Sequence, residues 1–327
     1  MSVQAELTAA GIHDPDLRGD YRHCRRLAAE HGRTYFLATR FLPAGDRPAV
    51  HALYGFARTA DDIVDDPRPE IDVASRTAGL ADLAGQFEAG AAEIAAGRDL
   101  PIGLEPSVRS ALHTADRYDL DPAWFDAFLE SMRMDLTITE YATHADLDTY
   151  VYGSAAVIGL MTLPIMGAVG PVEEAAPYAA DLGVAFQITN FIRDVGEDVG
   201  LGRIYLPQDS LAAHGVDRER LLHAASIGRA DAPIRALLAA EIDRTRGIYR
   251  RAEPGIALLS PAARACVQVA YRLYGDILTA IEDADYEVFG ERVRVTRRHR
   301  ARVAASGLAT GVAGAARARL AGSRRAG

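Results

Sequence analysis

The sequence predicts an all-α fold. Apolar residues recur at helical spacing through nearly all of the 327 residues, and the alternation of apolar and polar residues that marks half-buried strands is scarce. Proline and glycine interrupt the helical pattern at only a few places, and there they indicate breaks between helices. We therefore expect helices joined by short connections.

The expected helices follow one another from the N-terminus. Their bounds lie near 17–31, 34–41, 46–65, 71–97, 105–117, 122–139, 146–168, 173–199, 230–251, 261–285 and 294–320. The breaks fall at Pro43, Asp66–Pro69, Pro101, Gly170–Pro171 and Gly200–Pro207. Asp121 before Pro122 suits a helix cap followed by a first-turn proline. Because no low-complexity linker or internal repeat divides the chain, we expect a single domain over 1–327, with a core of about 15–300 and a basic, partly frayed tail at 301–327.

Composition limits the function classes. The formal net charge is −9, so no nucleic-acid partner is expected. No lysine is present, so every fixed side-chain cation is an arginine. Cys24 and Cys266 lie far apart, which predicts free thiols in a reducing cytoplasm. No signal peptide is expected. The longest apolar stretch, Ala155–Val169, is short for a membrane span and contains Pro164. We expect a cytoplasmic protein, soluble or at most peripheral at the inner face of the membrane.

Two acidic groups carry the functional prediction. The first, Asp-Asp-Ile-Val-Asp-Asp, follows an apolar helical run, and the second, Asn-Phe-Ile-Arg-Asp-Val-Gly-Glu-Asp, lies far downstream. Residues four apart share a helix face. The side chains that project together are therefore Asp61 with Asp65, and Asn190 with Asp194 and Asp198.

These acidic faces favour a metal site, with a solvated acidic surface as the alternative. Carboxylates among apolar residues are costly to bury without a cation, and oxygen ligands from two facing helices are what Mg²⁺ ions bridging a diphosphate require. Arg58 and Arg193 would pair with the acids on a surface, or bind phosphate oxygens bidentately once metal holds the carboxylates. Neutralising Asp61 or Asp194 should then remove activity and relieve repulsion in the metal-free protein.

The chain resembles the squalene/phytoene synthase family, the head-to-head prenyl transferases, over about residues 21–295. The resemblance rests on Tyr54–Asp66, on Gln187–Asp198, and on the Gly-Arg-Ile-Tyr-Leu-Pro of Gly202–Pro207. The segments His51–Arg58 and Tyr274–Phe289 are most similar to bacterial phytoene synthases. The resemblance implies an isoprenoid-synthase-type helical bundle around a central cavity, with both acidic motifs at its mouth.

The resemblance also implies roles for individual residues. Those that would hold Mg²⁺, or alternatively Mn²⁺, are Asp61, Asp65, Asn190, Asp194 and Asp198. The implied catalytic residues are the same four aspartates with Tyr150 and Tyr205. The implied substrate-binding residues are Thr34, Tyr54, Arg58, Gln187, Asn190, Arg193, Tyr274 and Arg292. Where the family often has a Ser-x-Ser-Phe-like segment, this chain has Gly32–Tyr35, which keeps a hydroxyl and an aromatic ring but loses the first serine.

The implied reaction joins two geranylgeranyl diphosphate molecules through a cyclopropylcarbinyl diphosphate to phytoene, with no NADPH. The alternatives are a squalene or presqualene diphosphate synthase acting on farnesyl diphosphate, and a terpene cyclase on the same fold. A carbocation must be kept from water. Val151–Val169 is expected either to line the necessary apolar tunnel or to be an ordinary core helix.

Two further expectations concern this tunnel and the C-terminus. The small residues Gly153, Ser154, Ala155, Ala156 and Gly159 should leave room in the tunnel, beside wall residues Ile158, Leu160, Met161 and Leu163. Enlarging Ala156 or Gly159 to phenylalanine would then exclude the longer substrate first. The basic cluster at Arg292, Arg294, Arg297, Arg298, Arg300 and Arg302 is expected to be a solvated helix face, or else to contact an anionic membrane.

Overall fold

The computed structural model describes residues 2–66, 68, 70–296, 298–300 and 302–303. Its α-helices are α1 (Val3–Ala9), α2 (Pro15–Glu30), α3 (Arg33–Thr39), α4 (Arg47–Val64), α5 (Val73–Ala95), α6 (Pro106–Tyr118), α7 (Pro122–Met134), α8 (His144–Val151), α9 (Val157–Met166), α10 (Val172–Gly200), α11 (Gln208–Ala213), α12 (Arg218–Ile227), α13 (Ala232–Ala252) and α14 (Pro261–Asp283). A π-helix, Tyr152–Ala156, joins α8 to α9, and a 3₁₀ helix, Glu253–Leu258, follows α13. Within these residues no strand is found, only two isolated bridges, so the predicted all-α class is confirmed.

The helices begin where local chemistry predicts. Asp121 accepts a hydrogen bond from the Ala123 amide, and Pro122 occupies the first turn of α7, as predicted. Thr143 and Asp146 form a capping box at the start of α8. These side chains bind amide groups that the first helical turn leaves unpaired.

The structure departs from the predicted helices in three respects. The short helices α1, α11 and α12 were not predicted, because a helix of two or three turns contains too few apolar positions to show a period. The helix expected at 146–168 is divided into α8, the π-helix and α9. Of the helix expected at 294–320, residues 292–296 have no regular structure, residues 298–300 and 302–303 are helical, and the rest lies outside the described residues.

Helix α10 forms the centre of the fold. It has 29 residues, a length of about 43 Å, and it packs against α9, α12, α13, α14 and both irregular helices. Ala185 and Ile192 on this helix are fully buried. A second core joins α4, α5 and α7 through the rings of Phe56, Phe87 and Phe125. That the chain forms a single domain stays a prediction.

One helical segment in the described part of the chain, His144–Met166, is long and apolar enough to cross a membrane. Half of the window that meets this criterion is buried within the protein. Val151 and Val157 are fully buried, and Gly153 contacts α7 so closely that a Cβ there would lie 2.1 Å from the Ala127 carbonyl oxygen. The segment therefore packs in the core, and seven of its residues between Ser154 and Met166 also line an apolar cavity, so both interpretations that the sequence left open describe it.

Candidate active site

Two neighbouring cavities, one polar and one apolar, share Tyr35 and Gln187 as lining residues. Every site residue that the sequence analysis named lines the polar cavity: Thr34, Tyr54, Arg58, Asp61, Asp65, Tyr150, Gln187, Asn190, Arg193, Asp194, Asp198, Tyr205, Tyr274 and Arg292. These residues come from segments spread over some 260 positions of the chain. The structure brings them together, while their individual roles stay predictions.

The first acidic motif lies at the C-terminal end of helix α4. Asp65 caps the helix, and its amide donates to the Asp61 carbonyl oxygen at 2.8 Å. This end of a helix disfavours negative charge. Burial, and then the Asp65 carboxylate, raise the pKa of Asp61 to about 7. Asp65 is half-exposed and accepts a hydrogen bond from Arg203 Nη1 at 2.6 Å.

The two aspartates of the second acidic motif, Asp194 and Asp198 on helix α10, have different surroundings. Asp194 Oδ1 accepts from Arg193 Nε at 2.7 Å and from Arg292 Nε at 2.9 Å, so two guanidinium groups share one carboxylate. Burial, and then the Asp194 charge, raise the pKa of Asp198 to about 8. The side-chain amide of Asn190 lies 3.4 Å from Gln187 Oε1. Among the described residues Asp198 has no ion-pair partner, and its raised pKa favours the neutral form at neutral pH.

The polar cavity fits hard divalent cations by its chemistry. Among the residues that the structure describes, no three or more His, Cys, Asp or Glu side chains lie close enough to one another to hold a metal ion. The donors on the two helices are carboxylate and amide oxygens, which such cations prefer. A cation beside Asp61 or Asp198 would favour the ionised carboxylate and lower the pKa that burial raises. The raised pKa values thus indicate where positive charge is missing.

Asp135, which follows α7, was not predicted from the sequence. Its carboxylate accepts hydrogen bonds from the hydroxyls of Tyr150 at 2.7 Å and Tyr205 at 3.0 Å. Burial raises the pKa of Asp135 to about 6. The Arg203 guanidinium donates both to the Asp135 carbonyl oxygen at 3.3 Å and to Asp65. This network joins two predicted tyrosines to the first acidic motif. A lone aspartate has no partner at helical spacing, so the sequence carried no signal for it.

Part of the C-terminal basic cluster does not form the solvated helix face that was expected. Arg294 and Arg300 belong to this part. Both line the polar cavity, together with Glu30, His31, Arg33, Glu197 and Thr296. Arg292 lies on the irregular segment 292–296. The Arg292 guanidinium forms an ion pair with Asp194, and Arg292 Nη1 lies 3.7 Å from Glu197. Arg297 lies outside the described residues.

Aromatic rings surround the junction of the two cavities. The Tyr274 ring stacks on Phe186 with centroids 4.3 Å apart, and the Tyr35 ring lies 5.2 Å from Tyr274 and 6.4 Å from Tyr54. A Cβ on Gly32 would lie 2.7 Å from the Tyr54 ring. The serine that the family often has at this position would therefore displace an aromatic side chain of the junction. Aromatic faces of this kind attract cations.

The apolar cavity lies between α9, α10 and α14, and it corrects the expected use of small residues. Ile158 and Leu163 line it, and so do the small residues Ser154 and Ala155, whereas Leu160, Met161, Gly153 and Ala156 do not. Gly159 lines the cavity, but a Cβ there would lie 2.1 Å from the Ala179 carbonyl oxygen. The expectation that enlarging Gly159 or Ala156 would fill the tunnel is therefore wrong, because these positions serve helix packing.

Several proteins of known activity are similar to the chain in sequence. A family model described as squalene/phytoene synthase matches residues 28–299. The chain is 36% identical over 297 residues to a phytoene synthase of Arthrospira platensis, which covers 87% of this chain and 91% of that protein. It is 36% identical over 287 residues to a 15-cis-phytoene synthase of Synechococcus elongatus, covering 84% and 88%.

Solved structures are similar to the fold. A dehydrosqualene synthase in complex with ligand matches with a TM-score of 0.78 at 25% identity, covering 90% of this chain and 97% of that chain. A squalene synthase from Alicyclobacillus acidocaldarius matches with a TM-score of 0.71 at 27% identity, covering 85% and 99%. The predicted isoprenoid-synthase-type helical bundle is confirmed.

Proposed function

The chain belongs to the squalene/phytoene synthase family, and on that premise we propose that it condenses two geranylgeranyl diphosphate molecules to phytoene. Diphosphate is released, and the reaction passes through a cyclopropylcarbinyl diphosphate. The single observation that carries this proposal is the junction at Tyr35 and Gln187, two residues that line both a charged cavity and an apolar one. An amphipathic substrate with a diphosphate head and a prenyl tail fits such a pair of cavities.

The two acidic motifs would hold the divalent cations, with Mg²⁺ proposed and Mn²⁺ as the alternative. The residues proposed as ligands are Asp61, Asp65, Asn190, Asp194 and Asp198. When bound, such cations neutralise the charge of a departing diphosphate. Arg58 and Arg193 would bind phosphate oxygens, because the planar guanidinium matches them bidentately. In the structure these arginines instead pair with Asp62 and Asp194, so substrate binding requires an exchange of partners.

The remaining site residues would act on the carbon skeleton. Tyr54, Tyr274 and Phe186 present ring faces where the prenyl cation would form, and cation–π attraction stabilises such a charge. Gln187 and Thr34 supply polar atoms at the mouth. Burial keeps water from the cation. Tyr150 and Tyr205 would act as catalytic residues, and Asp135 would position their hydroxyls.

Product analysis tests the proposal directly. The purified protein is incubated with geranylgeranyl or farnesyl diphosphate and Mg²⁺, with and without NADPH, and with excess chelator. We expect phytoene from geranylgeranyl diphosphate, no effect of NADPH, and no product in chelator. Squalene formed only with NADPH, or a preference for farnesyl diphosphate in competition, would contradict the proposal. A cyclic product from one substrate molecule would identify a cyclase.

Peripheral contact of a cytoplasmic enzyme with the membrane is a separate proposal. Its support is the exposure of Arg294, Arg298 and Arg302 in an otherwise acidic protein, together with the apolar nature of substrate and product. Flotation with vesicles tests it. Binding to vesicles with anionic lipid but not to neutral ones, lost at high salt, is expected. Equal partition to both kinds of vesicle would contradict an electrostatic contact.

A further inference from the structure

We infer that the far end of the apolar cavity sets the length of the prenyl chain that the enzyme accepts. This end is formed by Ala175 on α10, Leu163 on α9 and Leu259 before α14, which we call the end wall. The three residues are buried and belong to one small hydrophobic cluster. The inference rests on the proposed function and assigns specificity within it.

The direction of the cavity follows from the packing of α9 on α10. Gln187 lies at the junction, and the cavity-lining residues of α10 run back from it to Ala175 at three- and four-residue spacing, which keeps them on one face. The π-helix and α9 run the opposite way. A Cβ on Gly183 would lie 2.3 Å from the Ala155 carbonyl oxygen, and one on Gly159 would lie 2.1 Å from that of Ala179. The next turn of each helix therefore brings Leu163 opposite Ala175.

The residues of α14, which form a third wall of the apolar cavity beside α9 and α10, follow the same order from the polar cavity to the end wall. On α14, Tyr274 lines the polar cavity, while Ala270 and Cys266 line the apolar one. Leu259 precedes α14 and lines the apolar cavity as well. All three walls therefore lead away from the acidic motifs toward the end wall, and on α9 one further lining residue, Met166, packs against the end wall a turn beyond Leu163.

Backbone hydrogen bonds hold the end wall in place. The Ser260 amide donates to the Gly167 carbonyl oxygen at 2.8 Å, and the Val169 amide donates to the Leu258 carbonyl oxygen at 2.8 Å. The Ser260 hydroxyl donates to the Met166 carbonyl oxygen at 2.5 Å. The segment after α9 is thus tied to the segment before α14. A wall fixed in this way limits depth, because it does not yield to a longer ligand.

The depth of the cavity matches one class of prenyl chain. From Gln187 to Ala175 the α10 wall extends 12 residues, or about 18 Å at 1.5 Å per residue. An extended chain advances roughly 1.25 Å per C–C bond, so a geranylgeranyl chain reaches about 19 Å and a farnesyl chain about 14 Å. A farnesyl tail would end near Tyr178. The fourth isoprene unit of a geranylgeranyl tail would occupy the turn between Tyr178 and Ala175.

The size of the side chain at position 175 determines whether the turn between Tyr178 and Ala175 has room for a fourth isoprene unit. It is 2% exposed, so a larger side chain there cannot turn to solvent. Tyr178 cannot make compensating room by moving toward the 3₁₀ helix, because its Cβ already lies within 2.2 Å of where a Cβ on Gly255 would be. Enlarging Ala175 should therefore shorten the cavity by about one isoprene unit.

Ala175→Leu tests the inference in direct competition between geranylgeranyl and farnesyl diphosphate. We expect the ratio of kcat/KM for geranylgeranyl over farnesyl diphosphate to fall at least tenfold, with turnover of farnesyl diphosphate retained. The matched control is Ala185→Leu, on the same helix and equally buried but outside both cavities. It should lower the unfolding temperature without changing the ratio.

Leu163→Ala tests the same wall from the opposite direction. It should raise the rate with a prenyl diphosphate one isoprene unit longer than geranylgeranyl diphosphate, relative to the rate with geranylgeranyl diphosphate. If Ala175→Leu does not fold, Leu163→Ala alone tests the inference. A ratio within twofold of wild type in a folded, active Ala175→Leu variant would overturn the inference, as would an unchanged length range in Leu163→Ala. If the wild-type protein condenses neither diphosphate, the proposed function fails instead.

Discussion

Replacing Asp61 by asparagine should stabilise the metal-free protein at neutral and alkaline pH while removing most turnover. Burial and the neighbouring Asp65 raise the pKa of Asp61 from an ordinary value of 3.8 to about 7. The folded protein therefore holds this proton more tightly than the unfolded chain does. Asparagine has nearly the same shape and carries no charge, so it removes the cost of ionisation without leaving a cavity.

The magnitude follows from the shift in pKa. A shift of about three units corresponds to roughly 4 kcal/mol at a pH above both pKa values. The Asp61 side chain keeps some contact with solvent, which screens part of this energy, so we expect about 1–2 kcal/mol. For a protein of this size that gain corresponds to a rise in Tm of roughly 2–3 °C.

The dependence on pH gives the prediction its sign. A carboxyl group with a raised pKa in the folded state contributes stability below its unfolded pKa, and that contribution is lost as the pH rises through the folded pKa. The Tm of Asp61→Asn should therefore exceed that of wild type at pH 8. The difference should shrink as the pH falls and vanish near pH 4. Calorimetry in chelator at several pH values measures it.

Two control variants sharpen the comparison. The first control is Asp62→Asn, one residue from Asp61 in the chain. Asp62 is half-exposed and pairs with Arg58, so loss of this ion pair should leave Tm unchanged or slightly lower. The sequence predicts the same gain for Asp194→Asn as for Asp61→Asn. The structure predicts a loss, because Asp194 binds both Arg193 and Arg292. A lower Tm for Asp61→Asn at pH 8, or a difference independent of pH, would refute the reasoning.

Three further predictions concern the arginines, Asp135 and His51. Arg58→Lys and Arg193→Lys keep the charge but lose the planar guanidinium, so kcat/KM should fall about tenfold or more; wild-type kinetics would identify them as counter-charges for the aspartates. Asp135→Asn should lower kcat with little change in KM, because Asp135 holds the hydroxyls of the proposed catalytic residues Tyr150 and Tyr205; steady-state kinetics with an unchanged kcat would contradict this. Burial lowers the pKa of His51 to about 3, so the unfolded chain takes up a proton first as the pH falls below about 6.5, and stability should drop by about 2 kcal/mol between pH 7 and pH 5. Urea unfolding of wild type and His51→Gln measures this, and equal pH slopes for the two proteins would contradict it.

Local rules along the chain were sufficient to predict the helical class and the residues of the two acidic faces. Apolar residues at helical spacing predict a helix, and side chains four residues apart share one of its faces. The caps at Asp121 and Thr143 follow from equally local chemistry. For this reason the spacing alone pairs Asp61 with Asp65, and Asp194 with Asp198.

The residues that complete the site, and the point where the tunnel ends, depend instead on tertiary packing. Arg203 binds Asp65 across 138 positions of the chain, and Asp135 gathers two tyrosines from different segments. The sequence predicts free space beside Gly159, but the backbone of α10 packs against this glycine and fills that space. Ala175 lies at the end wall because α9 and α10 run in opposite directions. Such relations depend on how helices pack against one another, and no spacing along a single helix contains them.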